Sequence, residues 1–204
     1  MRDILSFSFE EYIARVKAFH GNTAPGAVLG GFMVEHAYNN LPEGGLYNVI
    51  CETAKCLPDA VQLLTPCSVG NQWMKIIDVG RFALTFYDKA TGKGVRVYLD
   101  HRRLDKWPRI KGWYLKLKTK NAQNKELLLH EIEDAGSQIL GIRQVNISPD
   151  FLSRKKSSPI SICPVCDEAY PFEHESACPA CKDSILPYGP EISGCEEAQC
   201  SPGR

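Results

Sequence analysis

The stretch Cys56-Leu-Pro-Asp-Ala-Val-Gln-Leu-Leu-Thr-Pro-Cys67 decides how the larger part of this chain folds. Just before it, residues 46–51 read Leu-Tyr-Asn-Val-Ile-Cys, an apolar run that predicts a buried strand. Pro58 suits a first helical position, where its missing N–H would have no partner anyway. Pro66 then stops the helix after about two turns. Cys56 should therefore sit just ahead of a helix N-terminus, where free backbone N–H groups and the macrodipole favour a thiolate. Asp59 and Gln62 are three apart and share a face, while Val61 and Leu64 form a packing stripe. A thiol, a carboxylate and an amide on one short helix would make the floor of a polar pocket. Against this stands the ordinary behaviour of free cysteine as a small buried hydrophobe. That is the expectation for Cys51, inside the strand; for Cys56 and Cys67 both readings stand.

Outward from this stretch the patterns are regular. Residues 7–19 carry Phe9, Tyr12, Ile13, Val16 and Phe19 at helical spacing, with Ser8 as N-cap and Gly21 as terminator. A second helix is expected over residues 25–40, apolar on most sides and so either buried or at a subunit contact. Its glycines at 26, 30 and 31 would admit a close neighbour. Strands are expected over 74–79 and 82–87, then a hairpin loop over 88–94 and a returning strand over 95–99. Gly92-Lys93-Gly94 lacks the spacing of a phosphate loop and lies between strands. Residues 125–140 predict a helix ended by Gly141, and 143–147 a closing strand.

Residues 101–120 hold eight Lys or Arg against one Asp, interleaved with Trp107, Trp113 and Tyr114. Such a segment can bind single-stranded nucleic acid. The chain as a whole has 24 basic and 24 acidic residues, so aromatic rings packed into the core beneath wet charges is the preferred reading. Nucleic acid and anionic membrane are accordingly not expected partners. No long apolar run exists, and the first residues, Met-Arg-Asp-Ile-Leu-Ser, do not resemble a signal peptide. Nine cysteines without an export signal fit a reducing, cytoplasmic compartment and metal or thiol chemistry.

The second strong signal lies past a polar linker at 151–159. Cys163-Pro-Val-Cys166 and Cys178-Pro-Ala-Cys181 are two C-x-x-C turns eleven residues apart. Each turn offers two thiolates, and the pair closes a tetrahedral shell around structural Zn2+. Few apolar residues surround them, so the metal would supply the folding free energy. A closed shell has no open position, so this zinc should not be catalytic. His174 could replace a thiolate only if one were missing, and Cys195 and Cys200 do not fit the shell.

Two segments now join. Phe19-His-Gly-Asn-Thr-Ala-Pro-Gly26 and the 56–67 stretch resemble the FmdE family, named for the E component of formylmethanofuran dehydrogenase. That family shows Phe-His-Gly-His-x-Cys-Pro-Gly, a later Cys before an Asp-Ala-[Ile/Val]-Gln helix, and a Thr-Gly-Lys-Gly-x-Arg-Val hairpin. The matches here are His20, Gly21, Pro25 and Gly26; Cys56, Asp59, Ala60, Val61 and Gln62; Cys67 and Ser68; Phe86 and Tyr87; and residues 91–97. Some members carry a cysteine zinc module.

The resemblance implies an α+β core of mostly antiparallel sheet and packed helices over 1–150. A small zinc-ribbon or knuckle-like domain would follow over 160–204. It implies a homodimer, a methanogenesis-related setting, and service to a molybdenum or tungsten formylmethanofuran dehydrogenase-type complex. It also implies a cleft that gathers His20 and Cys56; the residue types around it then suggest Asp59 as an orienting carboxylate, with Asn22, Gln62 and Cys67 as further ligand-binding groups. Asn22 and Ala24 stand where the family has a second His and a Cys, which leaves His20 and Cys56, with Cys67 as a further candidate and Asp59 or water to complete the shell, for a second metal site. An accessory or binding protein is the leading reading. A stand-alone thiol- or metal-dependent enzyme using Cys56 and His20 is the alternative, and a nucleic-acid-binding zinc protein the third.

Overall fold

Ser8 begins the architecture by capping a helix, as its position before two glutamates predicts. In the computed structural model its hydroxyl accepts from the Glu11 N–H while Glu11 reaches back to the Ser8 N–H, a complete capping box. The structure describes residues 3–42, 45–153, 158–172 and 177–183, the side chain of residue 120 excepted. They divide into two compact units, residues 1–153 and 154–204.

In the first unit, two short paired strands, β1 (Asp3–Ile4) and β2 (Phe7–Ser8), lead into α1 (Phe9–His20). Gly21 ends that helix at φ 82°, the left-handed conformation expected of it. Helix α2 (Pro25–Tyr38) follows, and ten of its fourteen residues are buried. It is a core helix within its own chain, packed against α1 and the sheet, so the subunit-contact option for it falls away. Then come β3 (Tyr47–Cys51), α3 (Leu57–Leu64), β4 (Met74–Ile76), β5 (Ala83–Asp88) and β6 (Lys93–Leu99). After these come α4 (Pro108–Tyr114), α5 (Lys125–Ala135), β7 (Leu140–Asn146) and α6 (Pro149–Leu152).

The five-stranded sheet has the order β4-β3-β5-β6-β7. All its pairs are antiparallel except β3 with β4. The expected α+β class is therefore what forms. Strands β4 and β5 are neighbours in sequence but not in the sheet, because β3 lies between them. Alternation along the strands sends Val49, Cys51, Leu84, Phe86, Val95, Val97 and Leu99 to one face, where they meet Val28, Leu29, Phe32 and Met33 of α2. Fully burying one such side chain contributes about 1.5–3 kcal/mol, so this layer holds the unit together.

Two expectations are corrected. The 125–140 helix is α-helical only to Ala135; Gly136, at φ 50° and ψ −130°, breaks it into a 3-10 turn. Gly141 is not a helix terminator. It lies in β7 opposite Tyr98, whose ring would overlap any side chain there. Helix α6 belongs to the first unit, where Phe151 meets the Tyr87 ring edge-on and the Lys75 ammonium.

In the second unit β8 (Ile160–Ile162) pairs antiparallel with β9 (Ala169–Pro171), and α7 (Pro179–Asp183) follows. Residues 174, 195 and 200 lie outside the described residues.

Candidate functional site

Cys56 occupies a strained backbone position between β3 and α3. Its φ is 54° and ψ −43°, and the Leu57 N–H closes back on the Lys55 carbonyl at 2.5 Å. This is a γ-turn of the rarer hand, costly for a residue with a side chain and held only where neighbours enforce it. The enforcing neighbour is α2. A Cβ on Gly26 would lie 2.9 Å from the Cys56 Cβ, and one on Gly30 would lie 2.6 Å from the Ala60 Cβ. Glycines four apart thus let the start of α3 press onto α2 and fix where the sulfur points.

His20 arrives from the end of α1. Its Nδ1 lies 2.5 Å from Oδ2 of Asp59, and its Nε2 lies 3.9 Å from the Cys56 sulfur. Thiol, imidazole and carboxylate therefore form a line with the ring in the middle. A carboxylate on Nδ1 holds the ring proton there and leaves the Nε2 lone pair facing the thiol. Burial pushes the Cys56 thiol above its ordinary range, and the Asp59 charge adds to this while Lys55 opposes it. The thiolate expected from the helix N-terminus alone is corrected: desolvation and a nearby anion outweigh the dipole.

The line opens into a cavity of about 600 Å3 whose wall includes His20, Asn22, Cys56, Trp113 and Lys125, together with Asn121 and Gln123. Sequence reasoning placed Asn22 here but missed Trp113, Asn121, Gln123 and Lys125. Trp113 was legible only as a ring in a basic stretch. Its position depends on Glu131 of α5, which accepts from the Arg109 and Ile110 N–H groups at 2.8 and 3.1 Å and so caps α4 from outside. Within the basic stretch Arg102 and Arg103 pair with Asp100, Lys111 with Asp105 and Arg109 with Glu131, and Trp107, Trp113 and Tyr114 pack on the core as expected.

Two expected members lie elsewhere. Gln62 is not on the cavity wall. Cys67 is buried at the far end of α3, about 12 Å along an eight-residue helix. Its thiol donates to the Tyr47 carbonyl at 3.3 Å beside a separate hollow of about 400 Å3 lined by Tyr38, Tyr47 and Trp73. The second metal expected at His20 and Cys56 gains no third ligand, because Asp59 is on the opposite ring nitrogen. Among the described residues, the only group of three or more metal-ligating side chains that converges is in the second unit.

That group is Cys163, Cys166, Cys178 and Cys181, whose sulfurs all lie within 4.8 Å of one another. Zinc–sulfur bonds of about 2.3 Å in a tetrahedron require sulfurs about 3.8 Å apart. Cys166 and Cys178 stand at 3.8 Å. Cys163 leaves β8 in a tight turn, with the Asp167 N–H on its carbonyl and the Cys178 N–H on its sulfur. Backbone N–H groups directed at that sulfur, Cys178 first and then Cys166, bring its thiol down to about 6. Hydrogen bonds with Cys178 and Cys166 push Cys181 up to about 12. Four thiols this close cannot all ionise without a cation among them, and the donor set suits zinc. The second pair is carried by α7, with Cys178 just before it and Cys181 inside it. The module is therefore a knuckle plus a helix rather than a ribbon of two knuckles.

Comparison with known proteins agrees with both units. Residues 19–147 match the family described as FmdE, molybdenum formylmethanofuran dehydrogenase operon. The chain belongs to the FmdE family. Residues 154–188 match the FmdE treble clef zinc finger, which supports a structural Zn2+ on the four cysteines and matches the helix-borne second pair. A crystal structure of a tungsten formylmethanofuran dehydrogenase FmdE-like protein from Syntrophus aciditrophicus is 49% identical, with a TM-score of 0.84, over 92% of this chain and 98% of that one. A probable S-adenosyl-L-methionine-binding protein from Archaeoglobus fulgidus is 35% identical over 103 residues, which are 47% of this chain. The match spans only 28% of that relative's length.

Proposed function

We propose that this FmdE-family chain is a zinc-containing accessory protein that binds a small molecule in the core cleft. In this reading it serves a molybdenum or tungsten formylmethanofuran dehydrogenase-type enzyme in the cytoplasm and acts as a homodimer. The observation that carries it is the cavity of about 600 Å3 floored by Cys56 and His20, a volume typical of small-molecule sites. A ring, three side-chain amides and one ammonium converge on it, which suits a ligand with a flat part and polar edges. The 49% identity to an FmdE-like protein supports the partner, and the free thiols among the described cysteines suit a reducing compartment. Apolar Ile76, Ile77 and Val79, exposed at and just beyond edge strand β4, support pairing with a second copy of the chain.

The test is retention of the enzyme's catalytic polypeptides by the immobilised, zinc-loaded chain from an extract that contains such an enzyme. Specific retention is expected, together with protection of Cys56 from iodoacetamide when the natural small-molecule fraction of that extract is added. Absence of both at low and moderate salt would overturn the reading.

A further inference from the structure

We propose that Cys56 is a nucleophile toward the carbonyl carbon of a small ester or thioester, with His20 as its base and Asp59 as the group that orients the ring. The inference rests on the reading above only in requiring that a small molecule reach the cleft.

Three independent features meet at one sulfur. The first is the backbone: a strand, a sharp turn with positive φ at the cysteine, and a helix starting at the next residue. Such a turn projects a side chain away from both elements, and here it costs strain that a merely space-filling cysteine would not need. The second is the line Asp59–His20–Cys56, at 2.5 and 3.9 Å, with the carboxylate on the far nitrogen and the thiol on the near one. A carboxylate in that place fixes the tautomer and orientation a base requires. A sulfur–nitrogen distance of 3.9 Å is loose, as is common before a substrate is bound. The third is access, since Cys56 and His20 both line the open cavity, whereas Cys51 is fully buried and Cys67 borders only the separate hollow at the other end of α3. The raised thiol agrees with this arrangement, because an un-ionised sulfur needs a base at the moment of attack.

The step balances without any outside oxidant. The Cys56 S–H proton passes to His20 Nε2 as the sulfur–carbon bond forms. The tetrahedral adduct collapses, the bond from carbon to the leaving oxygen or sulfur breaks, and the leaving atom takes the proton from His20. A thioester remains on Cys56. Water, deprotonated by His20, then attacks that carbon, and the Cys56 thiol returns with the acid as product. Lys125 at the cavity wall suits a substrate that carries an anionic group, and Trp113 one with a flat portion.

The test uses the full-length zinc-loaded protein with p-nitrophenyl acetate as probe, read by nitrophenol release and by the mass of the protein and its peptides. A burst of about one equivalent is expected, with the acetyl group on the peptide containing Cys56 and none in Cys56→Ala. His20→Gln should slow acetylation by about 100-fold or more, the usual share of a positioned base. It should also abolish the solvent deuterium isotope effect that the wild type shows. Asp59→Asn should slow the reaction less and keep that isotope effect, the mark of a positioning residue. Should His20→Gln fail to fold, the isotope effect of the wild type decides alone. Acetylation of Cys56 with no isotope effect, or acetyl groups only on lysines or other thiols, would overturn the proposal. Iodoacetamide at a pH of about 9 separates the two readings. If it labels Cys56 while the ester does not, the cleft is open and only the nucleophile fails. If neither reagent reaches Cys56, the ligand-binding cleft fails with it.

Discussion

The two cysteine sites of this chain use the same side chain in opposite ways. In the core, one thiol is pressed into a cleft by a helix pair, beside a carboxylate, and burial raises its pKa. In the C-terminal unit four thiols crowd together, and backbone N–H groups pull the first of them down to about 6. The difference lies in what surrounds the sulfur. Apolar packing and an anion keep Cys56 protonated and dependent on His20. A knuckle of backbone donors and three more sulfurs prepares Cys163 for a cation. The core would fold without chemistry at its cysteine, whereas the small unit has only Cys163, Tyr170 and Cys178 as a buried cluster among the described residues and needs the ion.

The largest effect expected from this contrast is removal of the metal. Cys178→Ser, or a strong chelator, should unfold the second unit and leave the core's melting transition nearly in place. Structural zinc in so small a unit contributes about 10–16 kcal/mol of apparent binding free energy, which no other interaction there can replace. Hydrogen exchange resolved by unit checks this. Loss of protection across α2 and the sheet would show that the units are not independent.

A smaller effect belongs to the helix pair. Gly30→Ala should cost about 1–3 kcal/mol, since the new methyl meets the Ala60 Cβ at 2.6 Å. Adding Ala60→Gly should return most of that loss. Urea unfolding of the two single variants and the double variant measures the coupling; simple additivity would contradict the close approach.

Next in size is the thiol itself. Iodoacetamide should label Cys56 slowly at neutral pH, with a midpoint above the ordinary thiol value. Asp59→Asn removes an anion that raises that pKa, so alkylation near a pH of about 8 should become faster by a few-fold while acetylation at neutral pH becomes slower. Opposite signs from one substitution separate the carboxylate's effect on the thiol from its effect on the ring.

The smallest is Asp100, a buried carboxylate held near 2 by hydrogen bonds from Arg102, with desolvation acting against them. Its folded pKa is depressed, so its contribution is full above the unfolded value of 3.8 and is lost as pH falls toward 2. The stabilities of wild type and Asp100→Asn should differ by about 1 kcal/mol at neutral pH and converge as pH falls to about 2. A constant gap across that window would rule out the linkage.

How far the sequence disclosed this molecule follows from the range of the forces involved. Helix α1, its capping box and its glycine stop are local, and Ser8, Glu11 and Gly21 announce them. The two C-x-x-C turns are also local, so the zinc shell was legible residue by residue, though not the helix that carries its second half. The meeting of His20 with Cys56 and Asp59 was legible through the spacing shared with a family. What stayed hidden was set by tertiary contacts. The local sequence offers Gly136 and Gly141 alike as helix breakers, and what assigns Gly141 to β7 instead is the Tyr98 ring opposite it in the neighbouring strand β6. The helix-end argument for a Cys56 thiolate failed for the same reason, since it omitted burial. Trp113 is carried to the cleft by α4, which Glu131 clamps onto α5, and Lys125 by the packing of α5 itself.

The most direct test of the contrast between the two cysteine sites is the zinc content of the purified chain and of two variants. One equivalent per chain is expected, lost in Cys178→Ser and kept in full in Cys56→Ser. Two equivalents, one of which disappears with Cys56→Ser, would mean that the core sulfur is a metal ligand after all and would contradict the account.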